Sequence, residues 1–355
     1  MKVTMLGLSG SGKTSYMAGL YEVLGANSLE GFKIRPTSLG PDGDWIAESG
    51  KFEKISFGAR NFDYPPGTKK TTVWSFDLLY ESSFVTSISW IDYRGGVLKV
   101  QPDDAPEDPE ILESLREIAT HISISNAVII FVDSVSLTSY KNLKEASFKS
   151  GVNRLVNVLS RFDQQFPFRP LTYVIALSKA DAVDKKWQED NFGKLVSLAQ
   201  DTFKELIDLH KRNVSHWTGA IIPVSAVGLG NAENHIRLPK HLQDSLEMSS
   251  KLISFPEPLN VAHALAFCIC QTLRRSRDVA QQTLSDQRDQ IEKLLKASNW
   301  AKNLWSALTG KQTSQEIASE IYKQQQSTFA SLQQFERFIE PLCRMAESEI
   351  RIIRV

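Results

Sequence analysis

The sequence predicts an α/β protein with a mainly parallel sheet flanked by helices, followed by a C-terminal α-helical hairpin. Three observations carry that expectation. Short apolar runs alternate with helix-like patterns through residues 1–275, the layout that parallel strands joined by helical crossovers require. The glycine-rich stretch Gly7-Leu8-Ser9-Gly10-Ser11-Gly12-Lys13-Thr14 follows the first apolar run and opens a segment with apolar residues at helical spacing, Tyr16, Leu20 and Leu24. Residues 276–355 hold one Gly and one Pro of the chain's 19 and 14, while Gln becomes frequent, as in Gln324-Gln325-Gln326. That shift places a boundary near Ser276, between a domain at 1–275 and a helical, coiled-coil-like tail at 276–355.

The expected strands are Val3 to Leu6, Thr72 to Tyr80, Thr86 to Asp92, Ala127 to Asp133, Thr172 to Leu177 and Ala220 to Val224. The second and third are separated only by Glu81-Ser82-Ser83 and read as an antiparallel hairpin at the sheet edge. Val261 to Cys270 is apolar but far short of the ~20 residues needed to cross a bilayer, so it reads as a buried helix. In the tail, Leu284, Ile291, Leu294 and Trp305 begin one helical pattern and Ala318, Tyr322, Phe329 and Leu332 another, with Thr309-Gly310 as the stop between them. The second is expected to kink at Pro341. Segments 25–64, 97–122 and 182–218 read as insertions.

Composition narrows the function. With 41 basic and 41 acidic residues the 355-residue chain has no net charge, so nothing global points to nucleic acid or an anionic surface. The pairs Lys211-Arg212 and Arg274-Arg275 are too small to change that. Three cysteines, Cys268, Cys270 and Cys343, make no disulfide framework or metal site and read as reduced thiols. The six histidines show no ligand spacing and read as surface residues. The start, Met1 to Leu6, runs into a strand without the layout of a secretory signal, so a cytoplasmic protein with no transmembrane segment is expected.

The stretch from Gly7 to Thr14 is an uninterrupted G-x-x-x-x-G-K-[ST] pattern between a strand and a helix, the context such a phosphate loop requires. Its glycines let the backbone wrap a pyrophosphate, with the N–H groups of Ser9 to Ser15 aimed at the oxygens from a helix N-terminus. Lys13 is expected on the β- and γ-phosphates, and the Thr14 hydroxyl on Mg²⁺.

Three further segments follow in order. Trp90-Ile91-Asp92-Tyr93-Arg94-Gly95 ends a strand and resembles the D-x-x-G segment of GTPases, which implies Asp92 on the metal and the Gly95 N–H on the γ-phosphate. Ser178-Lys179-Ala180-Asp181 is an S-K-x-D pattern after a strand; its carboxylate can accept from guanine N1–H and the 2-amino group, which adenine does not match. Ser225-Ala226 is an S-A turn whose Ala N–H suits guanine O6. Taken together, these motifs resemble the P-loop GTPases of the Ras-like and translation-factor-like (TRAFAC) class over roughly residues 1–275. Pro65-Pro66-Gly67-Thr68 and the appended helices look like the bacterial conflict-system or double-GTPase-type members.

The resemblance implies GTP or GDP with Mg²⁺ as ligands, a P-loop G domain as fold, and metal ligands Thr14, Asp92 and a switch threonine. Thr68 is preferred for the last, with Thr71 and Thr72 close by. Family members carry a water-orienting Gln after the D-x-x-G glycine, where this chain has Gly96. Slow hydrolysis is therefore expected, with Lys13, Thr68, Gly95 and Arg94 as the catalytic candidates. The expected function is a guanine-nucleotide switch acting on a protein effector or activating partner through its switch loops and tail. The alternatives are a nucleotide-dependent scaffold without productive turnover, and an ATPase in which Ser178 to Asp181 is accidental.

Overall fold

A computed structural model of the chain describes residues 1–8, 10–26, 28–36, 62–63, 72–92, 109–140, 142–149, 151–229, 232–233, 249–252, 257–301 and 336–346. The strands are β1 (Lys2–Gly7), β2 (Phe32–Pro36), β3 (Phe62–Asp63), β4 (Thr72–Tyr80), β5 (Ser83–Asp92), β6 (Ala127–Asp133), β7 (Leu171–Ser178), β8 (Trp217–Pro223), β9 (Ala232–Glu233) and β10 (Ser249–Leu252). The helices are α1 (Lys13–Tyr21), α2 (Pro109–Ile124), α3 (Ser134–Ser139), α4 (Leu143–Lys149), α5 (Val152–Gln165), α6 (Lys185–Thr202), α7 (Lys204–Arg212), α8 (Val261–Ala301) and α9 (336–346).

Seven strands form one sheet in the order β2-β4-β5-β1-β6-β7-β8. From β5 to β8 every pairing is parallel, and β2–β4 and β4–β5 are antiparallel. This is the mainly parallel, helix-flanked α/β architecture expected. All of β7 is buried, as is β6 up to its last residue, which is why both read as unbroken apolar runs. On α5, Val152, Leu155, Val156, Leu159 and Phe162 form one buried face in the core cluster with Ile130, Tyr173 and Ile175.

The β4–β5 hairpin turns through Glu81 and Ser82, at φ 46° and 68°, as a two-residue primed turn requires. It is not at the edge. β2 pairs outside β4, from Phe32↔Tyr80 to Pro36↔Phe76, and buries Phe32 and Ile34. Five residues with alternating burial and a terminal Pro gave too short a pattern to read. α2 lies within 97–122 and continues beyond it, and the 182–218 segment supplies α6, α7 and the start of β8.

Contact clustering divides the chain into one unit of Met1–Ile269 with Met345–Val355 and another of Cys270–Arg344. The division falls inside α8, a continuous helix that also runs through Ser276. Val261 to Cys270 is a buried helix, as expected, but it is the start of α8 and not a separate element. α9 is helical on both sides of Pro341. Thr309-Gly310 and the apolar pattern from Ala318 to Leu332 lie outside the described residues, as do His235, His241, Leu304 and Leu308.

Two expectations need correction. Cys270 and Cys343 are disulfide-bonded with Cα atoms 5.6 Å apart, so the chain does not hold three reduced thiols; residues 73 apart in sequence were paired by a fold the spacing could not show. Cys268 is buried and takes no part in that disulfide. His210 and His263 are buried, not surface residues: His210 packs edge-on to Tyr173 at 5.6 Å between centroids. Among the described residues no group of His, Cys, Asp and Glu could hold a metal ion, and no helix is long and apolar enough to cross a membrane.

Thiol counting checks the disulfide. Alkylation of the unfolded, unreduced protein should label Cys268 alone, and all three cysteines after reduction, read as mass increments on intact protein.

Candidate functional site

The loop after β1 is shaped by close approach. A Cβ on Gly7 would stand 2.7 Å from the Phe131 carbonyl oxygen of β6, and one on Gly12 would meet Ser178 Cβ at 3.4 Å. Gly10 and Gly12 adopt φ of 77° and 82°, which side-chain-bearing residues rarely hold. The loop thus turns tightly at the C-terminal ends of β1, β6 and β7.

Gly12 is the N-cap of α1, which has no side-chain cap and no acidic residue in its first turn. Its leading N–H groups and the positive end of its dipole are consequently not neutralised by the helix's own residues, the arrangement that attracts an anion. The Lys13 ammonium, 6% exposed, donates to the carbonyls of Gly7 at 3.0 Å and Leu8 at 3.1 Å, so it lies inside the curve of its own loop. Ser11 Oγ is buried there without a hydrogen-bond partner, an orphaned polar atom that a phosphate oxygen would satisfy. Thr14 and Ser15 are half-buried on the first turn of α1.

The structure brings the S-K-x-D and S-A segments to this loop. Ser178 ends β7, and its hydroxyl can donate to Ser11 O at 2.6 Å or to Val132 O at 3.0 Å. Lys179 follows in a left-handed conformation, φ 55°, and its ammonium donates to Asp133 Oδ2 at 2.5 Å. Asp181 lies on a single 3₁₀ turn, Ala180–Ala182, whose Asp181 carbonyl accepts from Gln188 Nε2 at 3.0 Å. The Ala180 N–H donates to Val224 O at 3.1 Å, joining this turn to the next loop.

In that loop Ser225 Oγ accepts from the N–H groups of Val227 at 3.2 Å and Gly228 at 2.9 Å. Ser225 and Leu259 exchange backbone hydrogen bonds. A Cβ on Gly19 of α1 would stand 3.2 Å from Ala226 Cα, so α1 packs directly on the S-A turn.

Asp92 ends β5 opposite Met5 of β1, one strand from the phosphate loop. Ser9, Thr68, Thr71, Arg94 and Gly95 lie outside the described residues. Thr72 opens β4, paired with Asp92.

Asp133 belongs to this site although the sequence pattern did not mark it. It ends β6 and caps α3 by accepting from the Ser136 N–H at 3.0 Å, while its second oxygen takes Lys179. The usable signal was an Asp closing an apolar strand at the register of Ser178, with which it pairs.

No protein-family model matches the chain, and no curated protein matches it. Among solved structures it is similar to the signal recognition particle receptor SRb-GTP/SRX complex from Chaetomium thermophilum, at 16% identity and a TM-score of 0.32, over 64% of this chain and 92% of that one. A likeness of that size carries no argument about function.

Replacing Asp133 separates its two tasks. Asp133→Ala, which loses both the cap and the ammonium partner, should lower unfolding stability in urea by about 1–2 kcal/mol. Asp133→Asn keeps a capping oxygen and should recover about half of that loss.

Proposed function

We propose that this chain is a guanine-nucleotide switch that binds GTP with Mg²⁺ and hydrolyses it slowly to GDP and phosphate. The observation that carries the reading is the contact of Ser178 with Ser11 and Gly12. It sets an S-K-x-D turn directly beside the glycine-rich loop, so that one ligand can reach both. A lone phosphate loop would leave the base unread; here two more loops converge on the same strand ends, where parallel α/β sheets hold their ligands.

In this reading the α1 N-terminus and the glycine-rich backbone cradle the phosphates, and Lys13 moves its donors from its own carbonyls to phosphate oxygens. Asp181 accepts from guanine N1–H and the 2-amino group. The Ser225 hydroxyl holds the following N–H groups so that the Ala226 turn keeps its shape beside the base. Thr14, Asp92 and Thr68 would hold the metal ion, which supplies charge neutralisation at the β- and γ-oxygens when bound. Gly95 senses the γ-phosphate, and Arg94 is the candidate for stabilising charge in the transition state. With Gly96 in place of a water-orienting Gln, turnover is slow until a protein partner completes the site. The domain division proposed is a G domain at 1–275 and a helical tail at 276–355 that carries the nucleotide state to an effector.

Competition against fluorescent GDP tests the ligand. GTP and GDP should displace it at least about tenfold more effectively than ATP, since a half-buried carboxylate left unmatched by adenine costs ATP about 1.4 kcal/mol or more; equal competition by ATP would defeat the guanine assignment. Asp181→Asn should shift preference toward xanthine nucleotides, whose altered edge offers an acceptor to the amide. Multiple-turnover phosphate release distinguishes a slow GTPase from a scaffold that binds without turnover, and a complete lack of release with every candidate partner would favour the scaffold.

A further inference from the structure

The nucleotide loops use one end of the parallel strands. At the other end, β7 and β8 start side by side, with Leu171 in register with Trp217. The chain entering each strand is therefore a neighbour of the other. The Leu171 N–H donates to His216 O at 3.1 Å, and the Phe168 and His216 rings meet edge-on at 5.5 Å between centroids.

These two entries carry apolar side chains outward. Phe168 is 74% exposed, Val214 70% and Phe166 37%. Single exposed apolar residues are ordinary; here adjoining turns present them together. Phe168 does so from φ 67°, a left-handed conformation that disfavours a residue with a Cβ, so the backbone holds an aromatic ring in water at a place where glycine would fit better.

The rim is basic. The Arg169 guanidinium lies 5.6 Å from the Phe166 ring centroid and 6.0 Å from that of Phe162, and Lys211 and Arg212 close α7 just before Val214. Residues 164–170 and 209–217 contain no Asp or Glu. Asp163 immediately precedes the first stretch, and Asp208 stands 3.7 Å from Lys211 with both side chains well exposed, a geometry that solvent screens.

We propose that this end of the sheet docks on a membrane surface bearing anionic lipid headgroups, with Phe168 and Val214 entering the interface and Arg169, Lys211 and Arg212 meeting the headgroup charges. Apolar tips on turns, with Arg169, Lys211 and Arg212 on the same or adjoining segments, suit a fluid interface that closes around them. An acidic peptide would need its own anchors seated in a pocket, and the apolar atoms here stand on turns. The patch shares no residue with the nucleotide site, so its occupancy is independent of the reading given above.

Sedimentation of the full chain with vesicles tests this. Binding should appear on phosphatidylcholine vesicles containing phosphatidylserine, be absent on phosphatidylcholine alone, and weaken as salt rises. Phe168→Gly, which suits the left-handed backbone and should leave thermal unfolding unchanged or raised, should reduce vesicle binding about tenfold or more with nucleotide affinity unaltered. The double variant Lys211→Ala/Arg212→Ala should bind more weakly and with a flatter salt dependence. The proposal is overturned by no binding to phosphatidylserine vesicles at low salt, by equal binding to neutral vesicles, by undiminished binding of folded Phe168→Gly, or by Phe168-dependent self-association that proceeds without vesicles.

Discussion

The closeness with which the β1–α1 loop lies on the ends of β6 and β7 governs the rest of the site. A backbone that passes this close to the Phe131 carbonyl has no space for a Cβ at Gly7, and at Gly12 the φ of 82° disfavours one although the space is ordinary. The tight loop turns the Gly7 and Leu8 carbonyls toward Lys13, and the buried Lys13 charge is tolerated because its ammonium donates to both. The same closeness makes Ser178 a bridge: one hydroxyl serves either a loop carbonyl or the end of β6. β6 is thus gripped on both flanks, by β1 and β7, and its last residue, Asp133, is free of the ladder's apolar demand and available to hold Lys179.

α1 extends this arrangement to the start of α8. The Tyr16 hydroxyl donates to Val261 O at 2.6 Å, while its ring meets Phe131 at 4.9 Å and Trp90 at 5.8 Å. Burial pushes the phenol well above its ordinary pKa, so it remains a donor at any pH the protein meets. One side chain on the helix that follows the phosphate loop therefore touches the strand ending in Asp92, the central strand β6 and the first residue of α8. Asn260, which precedes that helix at φ 57°, donates to Pro223 O at 3.0 Å and fastens the end of β8 to the same place. The start of α8 is accordingly part of the first compact unit.

How much of this the residues disclosed depended on whether the cause was local. The Gly7 to Thr14 loop was legible because positive φ and close approach leave glycines at fixed intervals, and β6 and β7 because burial on both faces leaves no polar residue to interrupt them. β2 was not, since its pairing with β4 is made across a gap of more than thirty residues and its own five residues carry little pattern. Helix continuity through Ser276 is a matter of unbroken backbone hydrogen bonding, which composition does not register. The Cys270–Cys343 bond lay beyond reach for the related reason that pairing is set by where two helices pass, and the spacing between cysteines says nothing of that. Asp133 stood in plain view but acquires meaning only beside Lys179.

The parallel sheet also explains why two surfaces can coexist without interference. Helix N-termini, with their unpaired N–H groups, gather where parallel strands end, so charge-sensitive chemistry belongs there. The opposite end collects turns that only need to return a helix to the next strand, and these can carry Phe168 or Val214 at no cost to the core. With β7 eight residues long, the two ends stand about 26 Å apart at about 3.3 Å per residue, well beyond a Debye length of about 8 Å. Direct electrostatic crosstalk between exposed cations at one end and the phosphates of the proposed nucleotide at the other is consequently screened. Any communication between them must pass through packed strands, whose close-packed side chains allow little displacement, so a surface contact at the start of β7 and β8 leaves the geometry around Ser178 and Asp181 in place.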